Sequence, residues 1–514
     1  MKSPQKFGVM VLTAITLLYS FEGSAQKLES NRLSTHQNAS SGQLVQANSN
    51  NAADLSNPTA SDNVSPFDAV KGKKEDTRKR DAFSKHYINE DGSFTALIGS
   101  GPIHYEKNGQ FLDINHSISA SSDFNYPFAN TSNLFESYFG STSHSGIKNK
   151  TAEGEIKEFL NTKMYWEVNG QAVNTQNSAN KSVRVEGEKA YYDNIYGNIS
   201  AEFTVLTGKR KLNYIIPNRQ ALGISPAGAD YLVFTEDVVL PFGWTSQITE
   251  SGVVIKDQLG KEIFLYENPV STDAANELVR EENTIFETYQ LGNTLTIKTK
   301  VKTTWLLSSE RQFPVMVDPT ANYQANGSRS VDQTGFQNTL GYFGYEYISF
   351  SSYWTQYHIR FNVSSIPSGS TVTATIGYIY KYGNGGTYSG TPQWHWSMSV
   401  DPVTNSGTTL YNSASSSLSA INGNIPTGGG WLNLPFASPG PLVYVENGIN
   451  GSGNVSATVR PVGAYGPSNR SNFFAVRTHN DTDKPYLKIT YTEPITDRTL
   501  TVSEAYTGAS HANG

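Results

Sequence analysis

The sequence predicts an all-β protein, in which an N-terminal β domain is followed by an antiparallel β-sandwich of jelly-roll type. Short segments alternate apolar and polar residues, and Gly, Asn or Pro separates one segment from the next. The chain of 514 residues holds 29 Tyr and 44 Gly, and only 16% of its residues are charged. Aromatic residues favour strands and Gly favours turns, so this composition is typical of β structure. The length suits two or three domains.

Residues 1–25 are predicted to be a cleaved secretory signal. Lys2 and Lys6 precede the apolar residues 7–19, and small residues end at Ala25, so that cleavage leaves Gln26 first. The alternative is a membrane anchor, but a span needs ~20 apolar residues. No later stretch is as apolar over that length, so we expect a secreted, extracellular or cell-surface protein without a transmembrane segment.

Residues 26–80 are predicted to be a disordered tether. They are rich in Ser, Asn, Gln and Ala, and such segments bury too little apolar surface to offset their ordering entropy. The tether ends in a run of mixed charge at residues 71–80. This run is interpreted as a solvated spacer, with a protease-processing site as the alternative.

Residues 81–320 are predicted to form the N-terminal β domain. Residues 102–114 read as a hairpin, because Asn108-Gly109 favours the type I′ turn that joins tight antiparallel strands. Residues 94–99 precede it as a strand, and further strand patterns follow every 10 to 20 residues or so. Residues 274–282 are the one stretch that favours a helical turn. The domain ends in the segment FPVMVDPT, residues 313–320.

Residues 321–493 are predicted to form the β-sandwich. In the segment YHIRFNV, alternate residues from Tyr357 to Val363 are apolar, whereas His358 and Arg360 lie on the opposite face. Seven or more strand patterns without a helix indicate a sandwich. Further strands are expected at 372–382, 394–400, 431–436, 454–462, 473–479 and 486–492. Residues 494–514 read as a linker or as the start of a further region.

Three stretches resemble the DNRLRE domains of bacterial secreted and wall-associated proteins. Residues 313–320 resemble the junction that precedes those domains, HIRFNVSSIPSGSTV (358–372) resembles their strand and turn, and KPYLKITYT (484–492) resembles their closing strand. Residues 80–115 are similar to the β domain that precedes such modules. The signal that ends at Ala25 is also similar to those of secreted Bacteroidetes proteins.

The resemblance implies a carbohydrate-binding-module-like sandwich, surface display or adhesion, and in some members attachment to polysaccharide-active enzymes. The chain departs from the family's pattern at residues 381–393, where a Gly-rich polar loop replaces regular apolar alternation.

Composition excludes several classes of chemistry. The chain has no Cys, which rules out disulfides, Cys-based zinc sites and thiol nucleophiles. A net charge of -6 argues against nucleic acid as a partner, because phosphate backbones require a concentrated basic surface. We expect no cofactor. One alternative is a structural calcium ion at Asp481 and Asp483, whose loop otherwise reads as a polar turn.

A glycan-binding surface is predicted on the second domain. Its candidate ligand-binding residues are Tyr345, Tyr353, Trp354, His358 and Arg360, because aromatic rings pack on the apolar faces of sugars while polar groups fix their hydroxyls. Solvated surface is the alternative for His358 and Arg360. Trp394 and Trp396 continue an apolar alternation and are predicted to be core.

No catalytic residues are predicted, and the leading hypothesis is a non-catalytic secreted or cell-surface module for adhesion or glycan binding, with a polysaccharide or a surface protein as partner. One alternative is a polysaccharide-degrading enzyme with a carboxylate pair in residues 81–320. Another is a structural stalk without a ligand. Asp318, next to Pro319, is interpreted as fixing a turn between the domains rather than as a catalytic group.

Overall fold

The computed structural model of the chain describes residues 64–494, except 250, 275–282, 324–326, 335–336, 339–340, 349–350, 386–390, 398–400, 414–417, 421–428, 437–438 and 463–470. The predicted signal, the residues expected to form the helical turn at 275–282 and the C-terminal linker from residue 495 lie outside the described residues.

Twenty-four strands precede residue 323 in the described part of the chain. In chain order they are β1 (Lys74–Glu75), β2 (Ser84–Ile88), β3 (Phe94–Gly99), β4 (His104–Lys107), β5 (Gln110–Asp113), β6 (Ser119–Ala120), β7 (Phe128–Asn130), β8 (Glu136–Phe139), β9 (Ile147–Lys150), β10 (Glu155–Val168), β11 (Gln171–Asn177), β12 (Val183–Glu186), β13 (Lys189–Tyr196), β14 (Ile199–Leu206), β15 (Lys209–Ile216), β16 (Tyr231–Val239), β17 (Thr245–Thr249), β18 (Gly252–Lys256), β19 (Glu262–Glu267), β20 (Val270–Thr272), β21 (Thr284–Leu291), β22 (Thr294–Lys302), β23 (Val315–Asp318) and β24 (Ala321–Asn322).

Eleven more strands follow. They are β25 (Ser328–Asp332), β26 (Gln337–Asn338), β27 (Tyr342–Ile348), β28 (Ser351–Asn362), β29 (Thr371–Gly385), β30 (Thr391–Ser397), β31 (Leu418–Ala420), β32 (Gly430–Phe436), β33 (Asn454–Val462), β34 (Ser471–Val476) and β35 (Tyr486–Thr492). The helices are α1 (Thr303–Leu306), α2 (Gly407–Asn412) and α3 (Pro439–Asn450), with short 3-10 helices at Asp68–Val70, Thr77–Lys79, Ser143–Ser145 and Arg219–Leu222.

Strands make up 53% of the structure and helices 9%, which confirms the predicted all-β class. The hairpin expected at residues 102–114 is present as β4 and β5, and Asn108 and Gly109 both take the positive φ that a type I′ turn requires. Among the described helices, none has the length and apolar character needed to cross a bilayer.

Two sheets face each other in the part of the chain between residues 104 and 323. One runs in the order β21-β22-β16-β10-β9-β8-β7-β6, and the other in the order β12-β13-β14-β15-β24-β19-β18-β17. Both sheets contribute to the apolar clusters between them, as in a sandwich, and we call this pair of sheets the first sandwich. The rings of Tyr214 on β15 and Phe234 on β16 stack across this interior with centroids 4.3 Å apart.

The third large sheet runs β1-β2-β3-β35-β29-β34-β27-β28-β33-β30-β31 and curls around a core of its own. Tyr357, Ile359 and Phe361 lie in that core, as the alternation of β28 predicts. Trp394 and Trp396 are also buried there, which confirms their prediction as core residues. Strand β30 does not pair with β29 in this order, yet the Trp394 indole packs against Gly377 of β29.

The sheet around the C-terminal core includes strands from the N-terminal end of the described chain. Strand β3 pairs antiparallel with β35, from Phe94 opposite Tyr491 to Gly99 opposite Tyr486. Ala96 and Ile98 belong to the same core as the strands after residue 321. The expected domain boundary at residue 320 stays a prediction, but sheet pairing crosses it.

Two local expectations differ from the structure. Residues 64–80 were expected to belong to the tether, yet β1 pairs with β2, Val70 is buried beside Leu97, and Arg80 Nε lies 2.6 Å from Glu75 Oε1. The predicted sandwich at residues 321–493 was expected to lack helices, but helix α3 within it spans 12 residues. Its Val445 and Ile449 are one helical turn apart and pack into the core, a spacing that suits a helix against a sheet.

Candidate functional site

The predicted glycan surface lies on β27 and β28. These strands pair so that Tyr345 stands opposite Trp354 and Glu346 stands opposite Tyr353. Trp354 is half-buried. The side chains of Tyr345 and Tyr353 lie outside the described residues. The backbone therefore brings the predicted aromatic residues onto adjacent strands, with Tyr345 and Trp354 as a cross-strand pair.

His358 was expected to face away from the core into solvent, and this expectation is wrong. Its side chain is only 1% exposed, and its Nδ1 lies 2.9 Å from the hydroxyl of Thr458 on β33. Burial lowers the pKa of His358 to about 3, so the imidazole is neutral at physiological pH. Contact of this ring with a ligand would require the covering residues to move.

Arg360 lies on the same face as His358 and is neutralised within the chain. Its Nη1 lies 2.7 Å from Asp401 Oδ2. The segment that begins at Asp401 continues into α2, where Leu410 packs on Val331 of the neighbouring strand β25. This long-range packing covers the face that alternation alone assigns to solvent.

The acidic loop at residues 479–484 is built into the fold. Asp481 Oδ2 accepts a hydrogen bond from the backbone N of Thr478 at 2.6 Å, and Arg477 Nη1 lies 3.5 Å from Asp481 Oδ1. Burial raises the pKa of Asp483. Asp481 thus caps its own turn, which is the polar-turn alternative for this loop. The described residues include no group of three or more acidic, His or Cys side chains arranged to hold a metal ion.

The same loop docks on Thr207, at the turn between β14 and β15. Asn480 Nδ2 donates to the Thr207 carbonyl at 2.9 Å, and Lys484 Nζ donates to the Thr207 hydroxyl at 2.9 Å and to the Pro102 carbonyl at 3.0 Å. His116 Nε2 lies 3.0 Å from that hydroxyl. Burial lowers the pKa of Lys484 to about 7, although the charges of Asp481 and Asp483 oppose this shift.

A carboxylate pair lies in the interior of the first sandwich. Glu158 on β10 forms an ion pair with Arg210 on β15 and accepts hydrogen bonds from Asn149 and Tyr266. Burial, together with the nearby charge of Glu158, raises the pKa of Glu236 on β16 to about 8. Glu158 is 1% exposed and Glu236 is 4% exposed, so both acids lie between the sheets and not at a surface cleft.

Asp318, at the end of β23, has structural partners. It accepts a hydrogen bond from the Thr320 hydroxyl, and its Oδ2 lies 2.9 Å from Lys211 Nζ. These contacts join the segment before β24 to β15. They agree with the interpretation of Asp318 as a residue that fixes this turn.

An exposed apolar surface forms where the two facing sheets end. In the described pairings, β17 is the last strand of one sheet and β21 is the last strand of the other. Gln290 on β21 joins them: its Oε1 accepts from the backbone N of Ser246 at 2.9 Å, and its Nε2 donates to the Trp244 carbonyl at 3.0 Å. Two free sheet edges therefore lie side by side here.

Five large apolar side chains on these edges and their turns face solvent, and we call them the apolar rim: Phe242, Ile248, Leu259, Tyr289 and Leu291. Phe242, Leu259 and Leu291 are 86%, 88% and 70% exposed. Gly243 brings the turn of Phe242 against Gln258, the neighbour of Leu259. The sequence signal for the rim was the presence of Phe and Leu inside turn motifs, which are ordinarily polar.

No protein-family model matches this chain, and no curated protein matches it. The resemblance of residues 313–320, 358–372 and 484–492 to DNRLRE domains therefore stays a prediction.

Proposed function

We propose that this chain is a non-catalytic adhesion module, secreted or held at the cell surface, and that the apolar rim binds a protein partner. The observation that carries the proposal is the solvent exposure of five large apolar side chains, three on the two adjacent edge strands β17 and β21 and two in turns near them. Grouped apolar side chains at a surface mark interaction sites more often than isolated ones do.

The chemistry of the rim favours a protein over a sugar. Ile248, Leu259 and Leu291 are aliphatic and offer no ring face on which a sugar could stack. A protein partner could cover these side chains and also extend a sheet at β17 or β21, because edge strands offer unpaired backbone groups to another chain.

The placement of the ionisable groups supports a non-catalytic role. Glu158 and Arg210 neutralise one another inside the sandwich, and Glu236 lies beside them away from solvent. A glycosidase needs its two carboxylates on either side of a bound sugar. In this structure Glu236, the acid whose pKa is raised to about 8, is packed between the two sheets instead.

Glycan binding at β27 and β28 is the second candidate, and the cross-strand pair of Tyr345 and Trp354 favours it. The family resemblance implies the same activity. Arg360 is paired with Asp401 and His358 is buried, so binding there would depend on the aromatic residues.

The experiment that separates these functions uses the purified full chain with a fluorescent label. Its retention is measured on cells that lack the gene, before and after protease treatment of the cells, and on a panel of neutral and acidic polysaccharides. If the chain adheres to a protein, the labelled chain should be retained on untreated cells and should not be retained on cells treated with protease. Retention on a polysaccharide would favour the glycan candidate, and release of reducing sugar would favour the enzyme. No retention on any surface would favour a stalk without a ligand.

A further inference from the structure

Lys209 and Asn322 stand directly opposite each other on neighbouring antiparallel strands, β15 and β24. Directly opposite side chains share a face of the sheet, with their Cβ atoms about 5 Å apart. That distance lies within the reach of a lysine side chain. Lys209 is the first residue of β15 and Asn322 is the last residue of β24. Because the two strands are antiparallel, the pair lies at the same end of both.

The carboxylate of Glu267 bridges these two side chains. Lys209 Nζ donates to Glu267 Oε2 at 2.7 Å, and Asn322 Nδ2 donates to Glu267 Oε1 at 2.7 Å. Glu267 ends β19, the other neighbour of β24, and its backbone N donates to the Thr320 carbonyl at 2.9 Å. Three adjacent strands thus hold an amine, a carboxylate and a primary amide in one hydrogen-bonded group.

The group is shielded from water. Asn322 is 1% exposed and Glu267 is 6% exposed, while the Lys209 side chain is 14% exposed. In such surroundings a charged ammonium and a charged carboxylate are costly to desolvate, which reduces the free-energy difference between the ion pair and the neutral pair formed when a proton moves from one to the other. Burial opposes ionisation of Glu267, but Lys209 outweighs it and holds the pKa of Glu267 below its usual value, so Glu267 is an unprotonated carboxylate at rest.

We propose that Lys209 and Asn322 become joined by an intramolecular amide bond between Nζ and Cγ, with Glu267 as the group that carries the proton. The geometry supplies what this reaction needs: an amine beside an amide and a proton carrier that touches both nitrogens.

The reaction balances within the three side chains. Glu267 takes a proton from the Lys209 ammonium, and the freed lone pair of Nζ attacks Cγ of Asn322 while the carbonyl electron pair moves to Oδ1. Glu267 then delivers its proton to Nδ2, and the tetrahedral intermediate collapses with cleavage of the Cγ–Nδ2 bond. Nδ2 leaves with the remaining displaced protons as ammonium, and Glu267 is again a carboxylate. No oxidant, metal or co-substrate is consumed.

The bond would do for this chain what disulfides do for other secreted proteins. The chain has no Cys, and the bond would connect positions 209 and 322, which are far apart in sequence but adjacent in the sandwich. A covalent link across so long a loop restricts the unfolded chain. The inference concerns how the fold is held together and does not depend on the partner of the apolar rim.

A nearby lysine provides a matched control. Lys211 follows on β15, on the same face as Lys209, and pairs with Asp318 at 2.9 Å. In the described pairings Lys211 stands opposite Thr204 and not opposite an Asn, so it has no amide group there to attack. Lys209→Arg preserves a cation for Glu267 but removes the nucleophilic amine, and Glu267→Gln preserves shape but removes the proton carrier.

The test is the intact mass of the purified full chain and of its variants, followed by fragmentation of its peptides. Relative to the masses of their mature sequences, the wild-type chain and Lys211→Arg should each have lost one ammonia molecule more than Lys209→Arg, Glu267→Gln and Asn322→Ala. Peptide fragmentation of the wild type should give a branched peptide that joins residues 209 and 322.

Ammonia can also be lost by cyclisation of an N-terminal Gln such as Gln26, or by imide formation at an Asn. Both losses would persist in Lys209→Arg, so the proposal is overturned if Lys209→Arg has lost as many ammonia molecules as the wild type. A wild-type mass equal to that of its sequence, after removal of any signal, would overturn it as well. A circular dichroism spectrum of Lys209→Arg that matches the wild type excludes misfolding as the cause of a missing bond.

Discussion

Arg210 and Glu158 form an ion pair in the interior of the first sandwich and connect its two sheets. Arg210 comes from β15 and Glu158 from β10, and the two residues are 2% and 1% exposed. Asn149 accepts a further hydrogen bond from Arg210 Nη1 at 3.0 Å, and Tyr266 donates to Glu158. Phe159, the neighbour of Glu158 in sequence, belongs to one apolar cluster of the sandwich, and Tyr266 belongs to the other.

Removing one member of this pair should destabilise the fold strongly. Arg210→Ala leaves the Glu158 carboxylate buried without its partner, which typically costs about 3–5 kcal/mol. Urea unfolding followed by tryptophan fluorescence measures the loss. The double variant Arg210→Met with Glu158→Leu should recover most of it, and a double variant as unstable as Arg210→Ala would contradict a purely electrostatic cause.

Glu236 should make the stability fall as pH rises through neutrality. Burial raises the pKa of Glu236 from 4.5 to about 8, so the folded chain keeps a proton that the unfolded chain loses. The free energy of unfolding therefore declines between pH 4.5 and 8 by at most about 1.4 kcal/mol per pH unit from this group. Glu236→Gln should match the wild type near pH 4 and exceed it at pH 8. The exposed residue Glu262 provides the control, because Glu262→Gln should not gain stability in this way.

Lys484 should have the opposite slope at higher pH. Burial lowers the pKa of Lys484 from 10.5 to about 7, so the folded chain has lost a proton that the unfolded chain still binds. Stability contributed by this group therefore rises from pH 7 to 10.5. The difference in unfolding free energy between wild type and Lys484→Met should grow in favour of the wild type over that range. A constant difference, as expected for Lys107→Met at an exposed turn, would contradict burial of an ionisable amine.

Gly377 should be required for the packing of Trp394. A Cβ atom at Gly377 would lie 2.8 Å from the indole, which is closer than atoms in van der Waals contact. Gly377→Ala should therefore lower the free energy of unfolding by about 1–3 kcal/mol, the usual cost of overpacking. In a double-mutant cycle with Trp394→Phe, the smaller ring should relieve the clash, so that the double variant is more stable than the sum of the single changes predicts. Strict additivity would mean that the two residues do not meet.

Local patterns predicted the strands well where one face packs on the core. The alternation of Tyr357, Ile359 and Phe361 identified β28, and Asn108-Gly109 identified a hairpin, because both features depend on neighbours in sequence. The pairing of β3 with β35 was not predictable in this way. It joins residues nearly four hundred positions apart, and such pairing leaves no local periodicity.

Polar residues of the site were harder to place than apolar ones. His358 alternates with core residues, and this pattern predicts that its side chain faces solvent. In the structure, the segment from Asp401 to α2 covers that face of the sheet. Glu158 and Arg210 are buried because each neutralises the other, and their pairing depends on the packing of two sheets. The apolar rim was missed because Phe242 and Leu259 lie in turns, where strand periodicity does not apply.

Adhesion through the apolar rim can be measured as the retention of rim variants on cells. In the rim variant, Phe242, Leu259 and Leu291 are all changed to Ser. In the control variant, the equally exposed Phe124 and Ile224, outside the rim, are changed to Ser. Burial of each apolar side chain by a partner contributes about 1.5–3 kcal/mol, and about 1.4 kcal/mol corresponds to a tenfold change in affinity.

We therefore predict that the labelled rim variant loses at least tenfold in apparent affinity for protease-sensitive sites on cells that lack the gene, while the control variant binds like the wild type. Equal retention of the rim variant and the wild type would contradict adhesion through the apolar rim.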